Sequence, residues 1–149
     1  MKFVGPLNLF QELMKTKPLG ADHLIGIGLG LKYVTFAVTD PYGKVAHRLN
    51  VMVREKNISA IVANRIKEAK VPVGLVIGFP FTSSGSPLVL PTMYLIDELR
   101  ESGKFEGLKY TVWDSADIPK ALNPKYEDTV AAIVLQDFLD FGRQWKRVY

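Results

Sequence analysis

Residues 24–38 read LIGIGLGLKYVTFAV, and their alternation sets the architecture of the chain. Side chains of an extended segment point to opposite faces in turn, so Gly26, Gly28 and Gly30 share one face. Ile25, Ile27, Leu29 and Leu31 share the other. A central strand with one bare face makes room for a neighbouring backbone, a ligand or a packed helix.

Downstream, Lys32–Thr39 reads as a second strand with Val34, Phe36 and Val38 on one face. Asp40-Pro41-Tyr42-Gly43 is a turn by composition. A third strand, Lys44–Val53, alternates Val45, His47, Leu49, Val51 and Val53 against Ala46, Arg48, Asn50 and Met52. Three strands with short connections form an antiparallel meander. The period then changes: Ile58, Ile61, Val62, Arg65, Ile66 and Ala69 follow helical spacing, with Asn57 or Ser59 as N-cap.

Val73–Ile77 is a continuous apolar run, as in a buried parallel strand, and Gly78-Phe79-Pro80 ends it. Phe81–Pro91 reads as a loop, Met93, Ile96 and Leu99 place a helix ending near Gly103, and Leu108–Trp113 is a fifth strand. Asn123-Pro124 introduces a last helix with Val130, Ile133, Val134, Phe138 and Phe141 on its apolar side. Upstream, Pro6, Leu7, Leu9, Phe10, Leu13 and Met14 mark a short amphipathic helix, stopped before Pro18 and Gly20. It is either a lid on the domain edge or a partner-binding helix. The order βββαβαβα indicates a mixed α/β sheet with helices on both faces. The expected division is an N-terminal helical extension (1–22), one domain (23–142) and a basic tail (143–149).

With 149 residues, 48% hydrophobic and 23% charged, the composition is that of one globular domain. No apolar run approaches the roughly 20 residues that span a bilayer. Nothing at the N-terminus reads as a secretory signal. Zero cysteines exclude disulfides and thiolate metal sites and fit an intracellular protein. The net charge of +4 and pI near 9.3 are compatible with a polyanionic partner.

Sites in such folds form outside the carboxyl ends of strands, so the ends of strands one and five and the start of the last helix converge. The acids there are Asp114, Asp117 and Asp128. Several convergent carboxylates on hard divalent ions are what metal-assisted phosphodiester cleavage needs. Asp128 also suits a second role, as favourable charge in the first turn of a helix. Ala131 and Ala132 beside it are small enough to let that helix approach the sheet closely.

The chain resembles the YqgF/RuvX family, ribonuclease H-like proteins described as Holliday junction resolvases and as nucleases maturing the 16S rRNA precursor. The resemblance covers about residues 24–141. Gly26-Ile27-Gly28-Leu29-Gly30-Leu31-Lys32 and Ala37-Val38-Thr39-Asp40-Pro41-Tyr42-Gly43 match the opening GIDxGxKxxGVAxSDxxG. Residues 77–86 match VGxPxxxxGS, and Asp128, Ala131, Ala132 and residues 133–139 match DxxAAxxILQDYL. The resemblance implies a five-stranded ribonuclease H-like sheet in the order 3-2-1-4-5. It also implies RNA or structured DNA as partner, with the ribosome precursor among the substrates, and a cytoplasmic or, after removal of a transit peptide, plastid or mitochondrial location.

The departures fall on the chemistry. The strand-one aspartate that ligates metal in active members is Gly28 here, and Ser115 and Ala116 replace the Glu and Arg that follow Asp114. Asp128 keeps its matching position, Asp114 matches the first residue of Asp-Glu-Arg, and Asp117 has no counterpart. If the protein is active, the resemblance implies Mg²⁺ or Mn²⁺ on Asp114 and Asp128, acting as catalytic metal ligands. Without the strand-one anchor those two acids position the ion poorly, and poor positioning removes orders of magnitude in rate. Efficient cleavage by the family mechanism is therefore not expected.

Lys32 matches the family lysine beside the metal site, where it contacts phosphate or stands as an exposed strand lysine. Ser84 and Ser86, in a Thr-Ser-Ser-Gly-Ser run before a helix, offer hydroxyls and N–H groups to phosphate. The run lacks the Gly-Lys-Ser/Thr ending of a Walker loop. His23 and His47 read as structural or exposed, and Ser115 has no evident His base. In the tail, Arg143, Lys146 and Arg147 with Trp145 and Tyr149 read first as a solvated helix end. Three classes follow: a nuclease using Asp114 and Asp128, a degenerate binding relative, and an ATPase lobe, which lacks its second lobe.

Overall fold

The computed structural model describes residues 1–15, 23–69, 72–79, 86–114 and 127–148. In chain order these form β1 (Lys2–Phe3), α1 (Pro6–Lys15), β2 (Leu24–Leu29), β3 (Tyr33–Thr39), β4 (Ala46–Val53), α2 (Ile58–Glu68), β5 (Gly74–Gly78), α3 (Val89–Glu101) and β6 (Lys109–Trp113). A 3-10 turn, Glu127–Thr129, then runs into α4 (Val130–Val148). The sheet order is β1-β6-β5-β2-β3-β4. The β2–β3–β4 meander is antiparallel, and β5, β6 and β1 join parallel to β2 and to one another.

The expected five-strand order lies within this sheet. A sixth strand is added at the β6 edge, where Lys2 and Phe3 pair with Lys109 and Tyr110. Two residues carry no periodicity, so composition gives no sign of β1. Other boundaries shift for identifiable reasons. The segment expected to loop as far as Pro91 is helical from Val89, because a proline in the first turn removes only an N–H that has no helical acceptor. Leu31 leaves the strand for the β2–β3 turn and is exposed. Met93 and Phe141 are exposed, while Thr92, Leu95, Leu135 and Leu139 are buried in their helices. Asn57 is the residue before α2, with no side-chain capping bond. The loop residues 80–85, the stops at Pro18 and Gly20, the Asn123-Pro124 start, Asp117 and Tyr149 lie outside the described residues.

Each face of the sheet carries its own core. Ile25, Ile27, Leu29, Val34, Phe36, Leu75 and Ile77 pack with Val62, Ile66, Leu95 and Leu99 of α2 and α3. On the other face Leu24, Ala37 and Val76 meet Leu9, Phe10 and Leu13 of α1 and Val130, Ala131, Val134, Leu135 and Phe138 of α4.

The bare face of β2 lies on this second side, and helix α4 fills it. A Cβ at Gly26 would stand 3.0 Å from the Ala131 carbonyl oxygen and from the Leu135 Cβ. At Gly78 of β5, it would stand 3.0 Å from Val134 Cγ2. Buried Ala131 supplies the small surface that lets backbone meet backbone. The helix runs on through residues 143–148, so Arg143 belongs to it, bonded to the Asp140 carboxylate and donating to the Lys44 carbonyl (2.8 Å).

The first helix is held in the same way. Gly74 lies beneath Leu9, and Gly142 lies against the Phe10 ring so closely that a Cβ there would overlap it. A Gly142→Ala variant is therefore expected to lose about 1–3 kcal/mol through overpacking. Urea denaturation measures the loss, and an unchanged midpoint would show that the ring has room to move.

Candidate nucleic-acid interface and metal site

The carboxyl end of β2 lies between β3 and β5 and beneath the first turn of α4. Gly28 occupies its centre. A Cβ there would come within 2.8 Å of the Ala131 nitrogen, 2.8 Å of Val130 Cγ1 and 2.9 Å of Thr35 Oγ1. Contacts under 3.0 Å to backbone cannot be relieved by a rotamer change. The position expected to have lost an acid has also lost the space for one.

Thr35, directly opposite Gly28 in the β2–β3 register, takes up the polar role at this point. Its buried hydroxyl donates to the Gly28 carbonyl (3.3 Å) and accepts from the Ala131 N–H (3.0 Å). It thus caps an N–H of the first α4 turn from the sheet instead of from the helix's own sequence. Removing it leaves a buried donor unsatisfied. Thr35→Val, close in shape, is expected to lower stability by about 1–2 kcal/mol, with the loss read by chemical denaturation. A neutral result would mean the Ala131 N–H is satisfied without Thr35.

Asp128 sits in the 3-10 turn that leads into α4. Its carboxylate accepts from Arg48 Nη1 of β4 at 3.0 Å, with both side chains about half exposed. Asp114 follows β6 and is partly buried. Asp114 thus stands at the end of β6, two strands from β2, and Asp128 in the turn before α4, paired with an arginine of β4. Among the described residues, no three His, Cys, Asp or Glu side chains converge as a metal-binding group.

These residues do not fit the divalent ion that the family resemblance implies. Its anchoring position is filled by helix backbone, and one of the two remaining acids is engaged by a guanidinium.

Lys32 lies exposed in the β2–β3 turn, and its carbonyl accepts from the Arg54 N–H at 2.8 Å. Arg54 also reaches back through Nη1 to the Gly30 carbonyl (2.9 Å), fastening the hairpin end. Ser86 turns inward on its own chain: its hydroxyl accepts from the Leu88 N–H (3.3 Å) and its carbonyl from the Val89 N–H, forming the turn into α3. Ser84, Ser115 and Ala116 lie outside the described residues.

Thr35, Arg48 and Arg54 are the site residues that sequence reading passed over. Arg48 reads from sequence as a strand-face residue, but its partner stands eighty residues away and is brought over by the turn that leads into α4.

No protein-family model and no curated protein matches the sequence. Among solved structures, the chain is similar to Thermus thermophilus RuvC in complex with a Holliday junction substrate, with a TM-score of 0.55 and 14% identity. That match covers 83% of this chain and 96% of RuvC. Fowlpox virus Holliday junction resolvase aligns with a TM-score of 0.46 at 13% identity over 83% of this chain and 99% of the resolvase. Archaeoglobus fulgidus Pelota aligns with a TM-score of 0.47 at 10% identity over 85% of this chain and 36% of Pelota. The fold is ribonuclease H-like, with the α/β arrangement found in RuvC.

Proposed function

We propose that this is a YqgF/RuvX-like, ribonuclease H-fold protein that binds structured RNA or DNA and has weak or no nuclease activity. The observation that carries this reading is the filled space at Gly28, where α4 backbone and the Thr35 hydroxyl stand in the place of a metal ligand. Asp114 and Asp128 remain from the acid set, and Asp128 is paired with Arg48. The likeness to a structure of RuvC on a Holliday junction supports four-way DNA as one class of ligand. The motif resemblance adds RNA.

Binding rests on cations of the meander: Lys32 and Arg54 at the β2–β3 turn end, and Arg48 further back along β4, beside Asp128. Phosphate contacts release counterions, so affinity falls steeply as salt rises. Asp128 then acts on binding instead of on chemistry. It neutralises Arg48, and phosphate competes with it for the guanidinium.

The test is a fluorescence-anisotropy titration on a four-way DNA junction and an RNA hairpin, with product gels in Mg²⁺ and Mn²⁺. Affinity without cleavage is expected. Asp128→Asn is expected to bind about two- to fivefold tighter at low salt, because a negative charge is lost and Arg48 is released. Arg48→Ala is expected to weaken binding to every sequence alike. Robust metal-dependent cleavage abolished by Asp128→Asn would establish a nuclease using Asp114 and Asp128 instead. No binding at low salt would remove nucleic acid as the partner.

A further inference from the structure

The two edges of the sheet are built differently. One ends in β1, which is two residues long. The other is the eight-residue β4, exposed from His47 to Val53. Leu49, Val51 and Met52 are about 40% exposed and Val53 is 59% exposed. Edges are ordinarily blunted by shortness, proline, lysine or a bulge, and of these β4 has only a bulge. Its single charged residue, Arg48, is turned to Asp128. Among the described residues, side chains finish only the start of the edge. Gln136 Oε1 accepts from the Ala46 N–H, and Gln136 Nε2 and Arg143 Nη1 donate to the Lys44 carbonyl.

We propose that β4 pairs with β4 of a second copy of this chain, antiparallel about a two-fold axis between Leu49 and Asn50, so that one sheet runs through both molecules. Three observations select this occupant and this register.

The first is which backbone groups are free. Hydrogen-bonded and non-bonded pairs alternate along an antiparallel ladder. The Arg54 N–H bonds inward to the Lys32 carbonyl, so Val51 and Val53 direct theirs outward. At the other end the Val45 carbonyl bonds inward to the Asp40 N–H, so Ala46 and Arg48 face outward. The Ala46 N–H confirms that parity by reaching Gln136. Opposing Arg48 of one copy to Val51 of the other matches outward groups on both strands, reciprocally.

The second is the β-bulge. Between Thr35 and Ala37 of β3 the partner residue jumps from Val51 to Arg48, so β4 carries an extra residue at Leu49/Asn50. A regular partner strand would lose register there. An identical strand related by this two-fold sets its own bulge opposite and keeps step on either side.

The third is charge. Just beyond the two ends of β4, the same register sets Lys44 of one copy on the side of Glu55 of the other, twice, both residues being exposed. Centring the axis on Arg48 or on Val51 would instead place Arg48 against Arg48 or against Arg54. Like charges directly opposite one another are unfavourable.

Sedimentation equilibrium over a concentration series tests the proposal, with a monomer–dimer equilibrium as the expected result. Glu55→Lys, which sets lysine against Lys44, is expected to weaken the dimer about tenfold, and Lys44→Glu with Glu55→Lys to restore it. The chain has no cysteine, so Asn50→Cys accepts one spin label per copy. Strong dipolar broadening is expected from labels less than about 15 Å apart, given strands spaced about 4.8 Å. A protein that stays monomeric at every concentration would overturn the proposal. So would a dimer indifferent to the charge reversal, or one whose Asn50 labels show no coupling.

Discussion

A Gly28→Asp variant is expected to lose most of its stability and to gain no nuclease activity. An aspartate at Gly28 would supply the ligand that the motif resemblance leads one to expect there, and the fold opposes it. The new Cβ alone would stand 2.8 Å from the Ala131 nitrogen and from Val130 Cγ1. The carboxylate beyond it would be driven into the core between β2 and α4, against the Thr35 hydroxyl that now caps the helix. Overpacking and an uncompensated buried charge together are worth about 3–5 kcal/mol, comparable with the whole stability of a marginal domain. Urea denaturation and a metal-dependent cleavage assay on the same preparation give the answer. A stable variant that cuts would show that α4 withdraws easily and that the space at Gly28 is available.

Removing residues 1–15 is expected to unfold the protein, although they precede the five strands expected from the sequence. Leu9, Phe10 and Leu13 are at most 3% exposed and sit inside the α4-side core. Each is worth about 1.5–3 kcal/mol of burial, so their joint loss reaches the stability of a typical domain. Without α1, Gly74 and Gly142 would present grooves to water, and β6 would lose its parallel neighbour β1. Far-UV circular dichroism and amide chemical-shift dispersion of the shortened chain test this. Glu12→Ala, which removes only a half-exposed bridge to Lys109 at 3.3 Å, serves as the mild comparison and should change little. A shortened chain that folds cooperatively would make this segment a detachable lid.

What the sequence disclosed, and what it withheld, follows from the range over which each signal acts. The alternation of glycine with isoleucine and leucine in residues 24–31 is local, and it identified the central strand and its bare face. Small Ala131 and Ala132 pointed to a helix pressed close to the sheet, and α4 lies there, with Ala131 against Gly26 and Gly28. Thr35 was legible as a strand residue but not as a helix cap. That role depends on its register opposite Gly28 and on a helix start 96 positions later. The Arg48–Asp128 pair is hidden for the same reason, its members lying 80 positions apart. Strand β1 is too short for any period to show, and the bulge in β4 breaks the alternation that would otherwise fix which of its residues share a face.

The reading of the site turns on whether Asp114 and Asp128 hold a divalent ion, and Mn²⁺ binding followed by electron paramagnetic resonance reports on that directly. With Gly28 covered by α4 and Asp128 engaged by Arg48, the aqueous Mn²⁺ signal should persist as protein is titrated in, and Asp128→Asn should change nothing. Stoichiometric loss of that signal, abolished by Asp128→Asn, would contradict it and return the protein to the metal-dependent nucleases.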